Sequence, residues 1–413
     1  MPSITKRGDT YRIRVSNGRD ASGKQIIETA TFHPDPERTE RQNQKALQQF
    51  ALDFERKVKS GNYLEGEKIT FAEFVEKWRK LYAKEQLQET TVEFYDFLLK
   101  KHILPAIGNV KLAQLRPAHL IAFYDDLSHK AKPQKGDGDP ATYSATTVRR
   151  CHACISSILQ TAVYWNVITE NPCKRVQAPR SGKTTDDVKH FTPEQASAFL
   201  EALDASHDAG KIQLQHVLLF HLALFCGLRR GELVALTWED LDLDQKQVSV
   251  SKSAAVVNGE IVNKVPKNKS SYRLVSVPAS VIALARKYKS EQQQYRLSIG
   301  SKWAGDNFIF IQWNGEQMYP STPYTVFKRV LRQYNEGKDP ADQLPSIPFH
   351  GLRHTSATLL ISQNIDVKTV SGRLGHAQTS TTMNIYSHAL RTKDQGAADT
   401  LDNLFYGNKR DTQ

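Results

Sequence analysis

Between residues 10 and 17 apolar and polar positions alternate. Tyr11, Ile13 and Val15 are separated by Arg12, Arg14 and Ser16, the period of a strand with one buried face. After the turn-rich NGRDASGK, the stretch IIETATF at 26–32 predicts a second strand. From Glu37 the period lengthens to that of a helix, with Leu47, Phe50, Phe54 and Val58 on one stripe and Gly61 where a stop belongs. A small sheet carrying a helix is therefore expected over residues 1–62.

At Thr70 the tetrad T-F-A-E predicts a capping box, followed by Phe71, Phe74, Val75, Trp78, Leu81 and Tyr82 at helical spacing. Further helical stretches are expected around 90–103, 117–128 and 145–166. HKAKPQKGDGDPATYS reads as a loop between the last two. NPCKRVQAPRSGKTTDD at 171–187, rich in proline and charge, is read as a linker. Beyond it T-P-E-Q at 192–195 predicts another helix start, VNGE at 257–260 a hairpin turn, and RLVSVP at 273–278 a strand. The fold class is thus mainly α with small β elements, in several domains.

The 413 residues carry a formal charge of +12 and an isoelectric point near 9.3, which favours a polyanionic partner. In the front sheet and its turns, Lys6, Arg7, Arg12, Arg14, Arg19 and Lys24 face three acids, so its polar face suits a DNA groove. Lys100, Lys101, Arg149 and Arg150 place similar charge on the helical segment. Four cysteines, Cys151, Cys154, Cys173 and Cys226, are too few for a disulfide framework and fit a reducing cytoplasm. The CHAC spacing at 151–154 has no second half, so no metal is expected there. The amino terminus lacks the apolar core of a signal peptide. The longest apolar run, VLLFHLALFCGL at 217–228, is too short to span a bilayer.

Four separated pieces of the last segment carry candidate chemistry. CGLRRGELVALTW sets Arg229 three residues before Glu232, and KVPKNKSSYRLVSVP is a lysine-rich turn feeding a strand. FHGLRHTSATLLI sets His350 three before Arg353, and LGHAQTSTTMNIYSH carries His376 and Tyr386. In this order and spacing the pieces resemble the tyrosine recombinase family, specifically integrases of temperate phages and integrative elements. The likeness spans roughly residues 66–390 and extends more loosely to the front sheet.

The resemblance implies an arm-type DNA-binding domain of three strands and a helix at 1–62, and a helical SAM-like core-binding domain at 66–178. A catalytic domain at 188–395 and a tail at 396–413 would follow. It makes Arg229 and Arg353 the clamp on the scissile phosphate, and His350 and His376 the intervening hydrogen-bonding and proton-transfer residues. Lys267 becomes the general acid, with Lys269 and Lys264 as alternatives, and Tyr386 the nucleophile. Glu232 would hold Arg229, and His354 would be structural. Gly351, where many relatives have aspartate, stands at a variable position, and Met383 and Ile385 would pack.

The chemistry is consistent with these residue types. Guanidiniums stay charged and grip phosphate oxygens bidentately, while a phenol of pKa ~10 needs a neutralised target before it attacks. No clustered carboxylates suggest a two-metal site, so neither metal nor cofactor is expected. The implied partners are double-stranded attachment-site DNA and three further copies, as a homotetramer on two duplexes. An excision factor or host DNA-bending protein could assist, and the setting would be the nucleoid of a bacterial cytoplasm, without a membrane. A type IB topoisomerase and a catalytically silent DNA-binding regulator of the same fold are the alternatives. An RNA-binding role is disfavoured by the absence of an aromatic-rich RNA motif.

Overall fold

The computed structural model describes residues 2–19, 22–59, 67–130, 142–178, 189–265 and 272–375, with Met383, Leu401, Asp402 and Phe405. The chain divides into two compact units, Met1–Gly182 and Lys183–Gln413.

In the first unit, β1 (Ser3–Arg7), β2 (Thr10–Arg19) and β3 (Gln25–Phe32) form an antiparallel sheet with β2 in the centre. Alternation along β2 turns Ile13 and Val15 onto Leu47, Ala51, Phe54 and Val58 of α1 (Glu40–Lys59). Phe50, expected on that stripe, is 38% exposed, because Ala51 takes the inward position.

The Thr70 capping box forms as expected: the Glu73 amide donates to the Thr70 hydroxyl, and the Thr70 amide to the Glu73 carboxylate. It starts α2 (Phe71–Trp78), which runs through a π-helical turn, Arg79–Ala83, into α3 (Lys84–Gln86). That wider turn breaks the predicted stripe. It buries Ala83 and leaves Leu81 69% exposed. A second π-helical turn, Leu99–Ile103, joins α4 (Glu89–Leu98) to α5 (Leu104–Ile107). With α6 (Pro117–His129) and α7 (Ala145–Tyr164) these enclose a core of Phe71, Phe74, Trp78, Leu98, Ile155 and Ile158.

The segment read as a linker is folded in its first half. Pro172–Arg175 is a 3-10 turn with Pro172 and Cys173 buried, and Asn171 ties it down by accepting from the Cys173 amide and donating to the Ser156 carbonyl. Proline and charge marked a tight turn there, not an unpacked connection.

The second unit opens with α8 (Pro193–Asp208), capped by Thr192 and Gln195 as expected. At its centre lies α9 (Leu214–Cys226), buried on nearly every side, as a helix without a polar face must be. A short α10 (Arg230–Val234) follows. Strands β4 (Leu241–Asp242), β5 (Gln247–Val250) and β8 (Arg273–Ser276) form one small antiparallel sheet. Beside them β6 (Ser253–Val257) and β7 (Glu260–Lys264) make the predicted hairpin. Its turn residues Asn258 and Gly259 both have positive φ, the requirement of a two-residue loop. The unit is completed by α11 (Ala279–Ile299), α12 (Thr322–Asn335), α13 (His350–Ser362) and α14 (Val367–Leu374). Phe191, Phe199, Phe220, Phe327 and Phe349 interlock in its core. Among the described residues no helix is long and apolar enough to cross a membrane.

Candidate active site

Helices α9 and α14 end in left-handed glycines, and both ends matter to the site. Gly227 (φ +64) closes α9, and Gly375 (φ +68) closes α14. Such turns stop the helix and aim its final carbonyls outward, where arginines can use them. Arg353, only 2% exposed, donates from Nη1 to the Gly227 carbonyl at 2.7 Å and from Nη2 to the Leu374 carbonyl. It thereby joins two segments far apart in sequence.

Two residues past Gly227, Arg229 stands in extended conformation at the start of α10. Its backbone amide and Nη1 both reach the Glu232 carboxylate, at 2.8 and 2.9 Å, and Nη2 donates to the Gly375 carbonyl at 3.4 Å. The pair is buried on the acid's side, since Glu232 is 4% exposed. Burial alone would raise that carboxyl, but hydrogen bonds and charge from Arg273, and then Arg229, outweigh it and hold the pKa below the usual carboxylate value.

His350 opens α13 one turn ahead of Arg353, its ring edge-on to His354 at 4.8 Å between centroids. Partial burial, then the charges of Arg353 and Arg229, lower its pKa to about 4 against a small opposing pull from Glu232. The residue keeps an exposed edge, so water moderates the effect. Burial and the neighbouring guanidinium charges act in the same direction, and both favour the neutral imidazole.

Arg229, Glu232, His350 and Arg353 are therefore brought together around the 374–375 turn. Lys267, Lys269, His376, Tyr386 and Ile385 lie outside the described residues, though Gly375 places the chain immediately before His376. Lys264, the third lysine considered, is the last residue of β7. Met383, expected to pack, is 50% exposed. Gly351 is closely packed. A Cβ there would lie 2.8 Å from the Lys189 carbonyl and 2.9 Å from Ile347, so the backbone packs where a side chain would need to be.

The sequence reading also missed Arg273. Its side chain is 6% exposed. Its Nη1 and Nη2 donate to Glu232 at 3.2 and 2.8 Å, and its Nε donates to the Arg373 carbonyl at 2.8 Å. The signal was present: two-residue alternation in RLVSVP puts Arg273 on the inward face with Val275 and Val277, leaving Leu274 68% exposed.

The residues proposed to meet DNA away from this site lie in the first unit. Arg12 and Arg14 occupy the sheet face opposite Ile13 and Val15. Thr5 and Thr31 flank Arg12, and Ser3 and Thr29 flank Arg14, on the neighbouring strands. Arg149 and Arg150 are exposed in the first turns of α7, with the Arg150 guanidinium 5.5 Å from the Phe94 ring centre.

Residues 189–393 match the model of the phage integrase family, and residues 70–128 that of the phage integrase N-terminal SAM-like domain. The chain is 24% identical over 412 residues to a "Tyrosine recombinase XerC-like" protein of Caldanaerobacter subterraneus subsp. tengcongensis, spanning 96% of both. It is 30% identical over 263 residues to the ICEBs1 integrase of Bacillus subtilis, covering 63% of this chain and 66% of that one. A Tn1549 transposon integrase in complex with transposon right end DNA shares the fold with a TM-score of 0.64 at 19% identity, over 80% of this chain and all of that one. A lambda integrase dimer bound to a COC′ core site superposes with a TM-score of 0.54 at 16% identity, over 94% and 95%.

Proposed function

Since the chain belongs to the phage integrase family of tyrosine recombinases, we propose that it is a site-specific recombinase. It cleaves and rejoins double-stranded DNA to integrate a phage or mobile-element genome and, with helper factors, to excise it. One observation carries the assignment of the site: arginines from α13 and from the start of α10 both reach the turn that ends at Gly375, with His350 inside their field.

In this scheme a backbone phosphate enters beside Arg229 and Arg353, whose charge offsets its own and the further charge developing in the transition state. Tyr386 attacks the phosphorus, forming a 3′-phosphotyrosyl bond as the 5′ oxygen departs. Lys267 supplies the proton that oxygen needs. His350 and His376 handle the phenolic proton and the non-bridging oxygens. A neutral His350 is ready to accept a proton, and the arriving phosphate favours its protonated form. The phosphodiester energy is kept in the covalent link, so rejoining to another 5′ hydroxyl needs no ATP.

We assign residues 1–62 to distal arm-type sites, through the Arg12 and Arg14 face, and 66–178 to core-site DNA, with Arg149 and Arg150 toward the backbone. The working form is a homotetramer on two duplexes in a bacterial cytoplasm, aided by an excision factor or a host DNA-bending protein.

The test is a pool of nicked genomic duplexes from which religation is prevented. Wild type should become covalently attached to a defined sequence, and Tyr386→Phe should bind that sequence without attachment. An adduct formed equally by Tyr386→Phe would reject the assigned nucleophile, and its absence from wild type would reject the activity. Strand exchange between two duplexes separates a recombinase from a type IB topoisomerase.

A further inference from the structure

We infer that Arg273 is a positioning residue for the recombination reaction: it takes up the charge of Glu232, leaving Arg229 with net positive charge for the phosphate, and fixes the segment before His376. The inference rests on the recombinase reading given above.

The argument starts from charge. Glu232 is buried with one carboxylate and two guanidinium neighbours, Arg229 and Arg273. Two cations and one anion leave a single positive charge. It resides toward Arg229, whose side chain is 37% exposed, while Arg273 is 6% exposed. With Arg273 absent, Glu232 and Arg229 would form a neutral pair. The arginine's donors would then be held by the carboxylate in a low-dielectric setting where salt screens little. A phosphate would have to compete for the group meant to receive it.

Geometry adds a second role. Arg273 begins β8, the first strand after residues 266–271, which include Lys267. Its register opposite Val250 fixes the backbone, and its side chain crosses to α10 through Glu232 and to the end of α14 through the Arg373 carbonyl. The guanidinium also lies flush against Gly375, where a Cβ would meet Nη1 at 3.0 Å and Cδ at 3.1 Å. One side chain thus ties the start of β8 to the partner of Arg229 and to the end of α14.

A plain structural ion pair would also be buried and bidentate, and replacing it would simply lower stability. The two roles separate on restoring charge. Arg273→Met should slow covalent adduct formation at saturating DNA by about a hundredfold, with DNA affinity changed by less than about threefold, because the loss falls on the transition state. Adding Glu232→Gln removes the uncompensated anion and should recover at least about tenfold of that rate. Arg273→Lys, which keeps the charge but not the fork, should fall between wild type and Arg273→Met.

The experiment uses the full chain and the nicked duplex trapped by wild type, with circular dichroism to check folding. If Arg273→Met is too unstable to fold, the double variant carries the test and should stay within about tenfold of wild type. An undiminished rate in Arg273→Met, or a folded double variant as slow as the single, overturns the inference while leaving the recombinase reading intact. Failure of wild type itself to form an adduct overturns both.

Discussion

Three glycines with nearly the same backbone allow steric and conformational costs to be separated at the site. Gly210, Gly227 and Gly375 have φ of +66, +64 and +68, so alanine meets a similar left-handed penalty at each, about 1–2 kcal/mol. Their surroundings differ. A Cβ at Gly210 has nothing within 4 Å, whereas at Gly227 it lies 2.6 Å from Leu374 Cδ2 and 3.5 Å from Ser356 Oγ. Leu374 is fully buried, so it cannot swing aside, and overpacking of that kind adds about 1–3 kcal/mol.

Gly210→Ala should therefore cost about 1–2 kcal/mol and Gly227→Ala about 2–5 kcal/mol. At roughly 2–4 °C per kcal/mol for a unit of this size, the melting points should drop by about 2–8 °C and about 4–20 °C. The assay is thermal and urea unfolding of the full chain, following the transition of the second unit in both variants. Adduct formation should also fall in Gly227→Ala, because the Gly227 and Leu374 carbonyls hold Arg353 between them and the strain falls on that pair. Gly210→Ala should keep its rate at temperatures where it is folded. Equal destabilisation by the two substitutions would refute the argument that Leu374 is immovable.

Other outcomes are accessible to simple measurements. By NMR, His350 of the free protein should titrate well below 6.5, near 4, and move upward when DNA occupies the site; a value at or above 6.5 in the free protein would contradict the cationic environment. Since the folded form resists a proton that the unfolded chain accepts, this residue's contribution to stability should fall as pH drops from about 6.5 toward about 4 and be constant above that range. Deleting residues 1–62 should abolish binding to distal sites while core cleavage survives, and loss of both would remove the arm assignment. Cys151, Cys154, Cys173 and Cys226 are buried, and burial pushes every one of their thiols well above the ordinary value, Cys226 to about 11. All four should resist alkylation at neutral pH until the chain is unfolded, and rapid labelling of the native protein would contradict their burial.

Much of the fold was legible where a local rule and the tertiary demand agree. Thr70 and Thr192 cap helices through contacts three residues away, and Asn258-Gly259 closes its hairpin by backbone preference alone. The readings at Leu81, Phe50 and 171–178 missed because helical phase and burial are settled by partners distant in sequence. A π-helical turn rotates Leu81 outward, and Asn171 reaches back to Ser156. At the site, Arg229, His350 and Arg353 were visible from spacing and resemblance together. Arg273 was hidden because its worth depends on Glu232, 41 positions earlier, and on a carbonyl 100 positions later.

The tripeptide Arg373-Leu374-Gly375 offers its carbonyls in turn to Arg273, Arg353 and Arg229. These acceptors are among the last parts of the second unit to leave the ribosome. A polypeptide that ends before them keeps Glu232 and the Gly227 carbonyl as partners for its arginines but lacks the acceptors that gather all three at one turn, and it lacks Tyr386 as well. The three guanidiniums thus share their common anchor only once the chain has been made through residue 375.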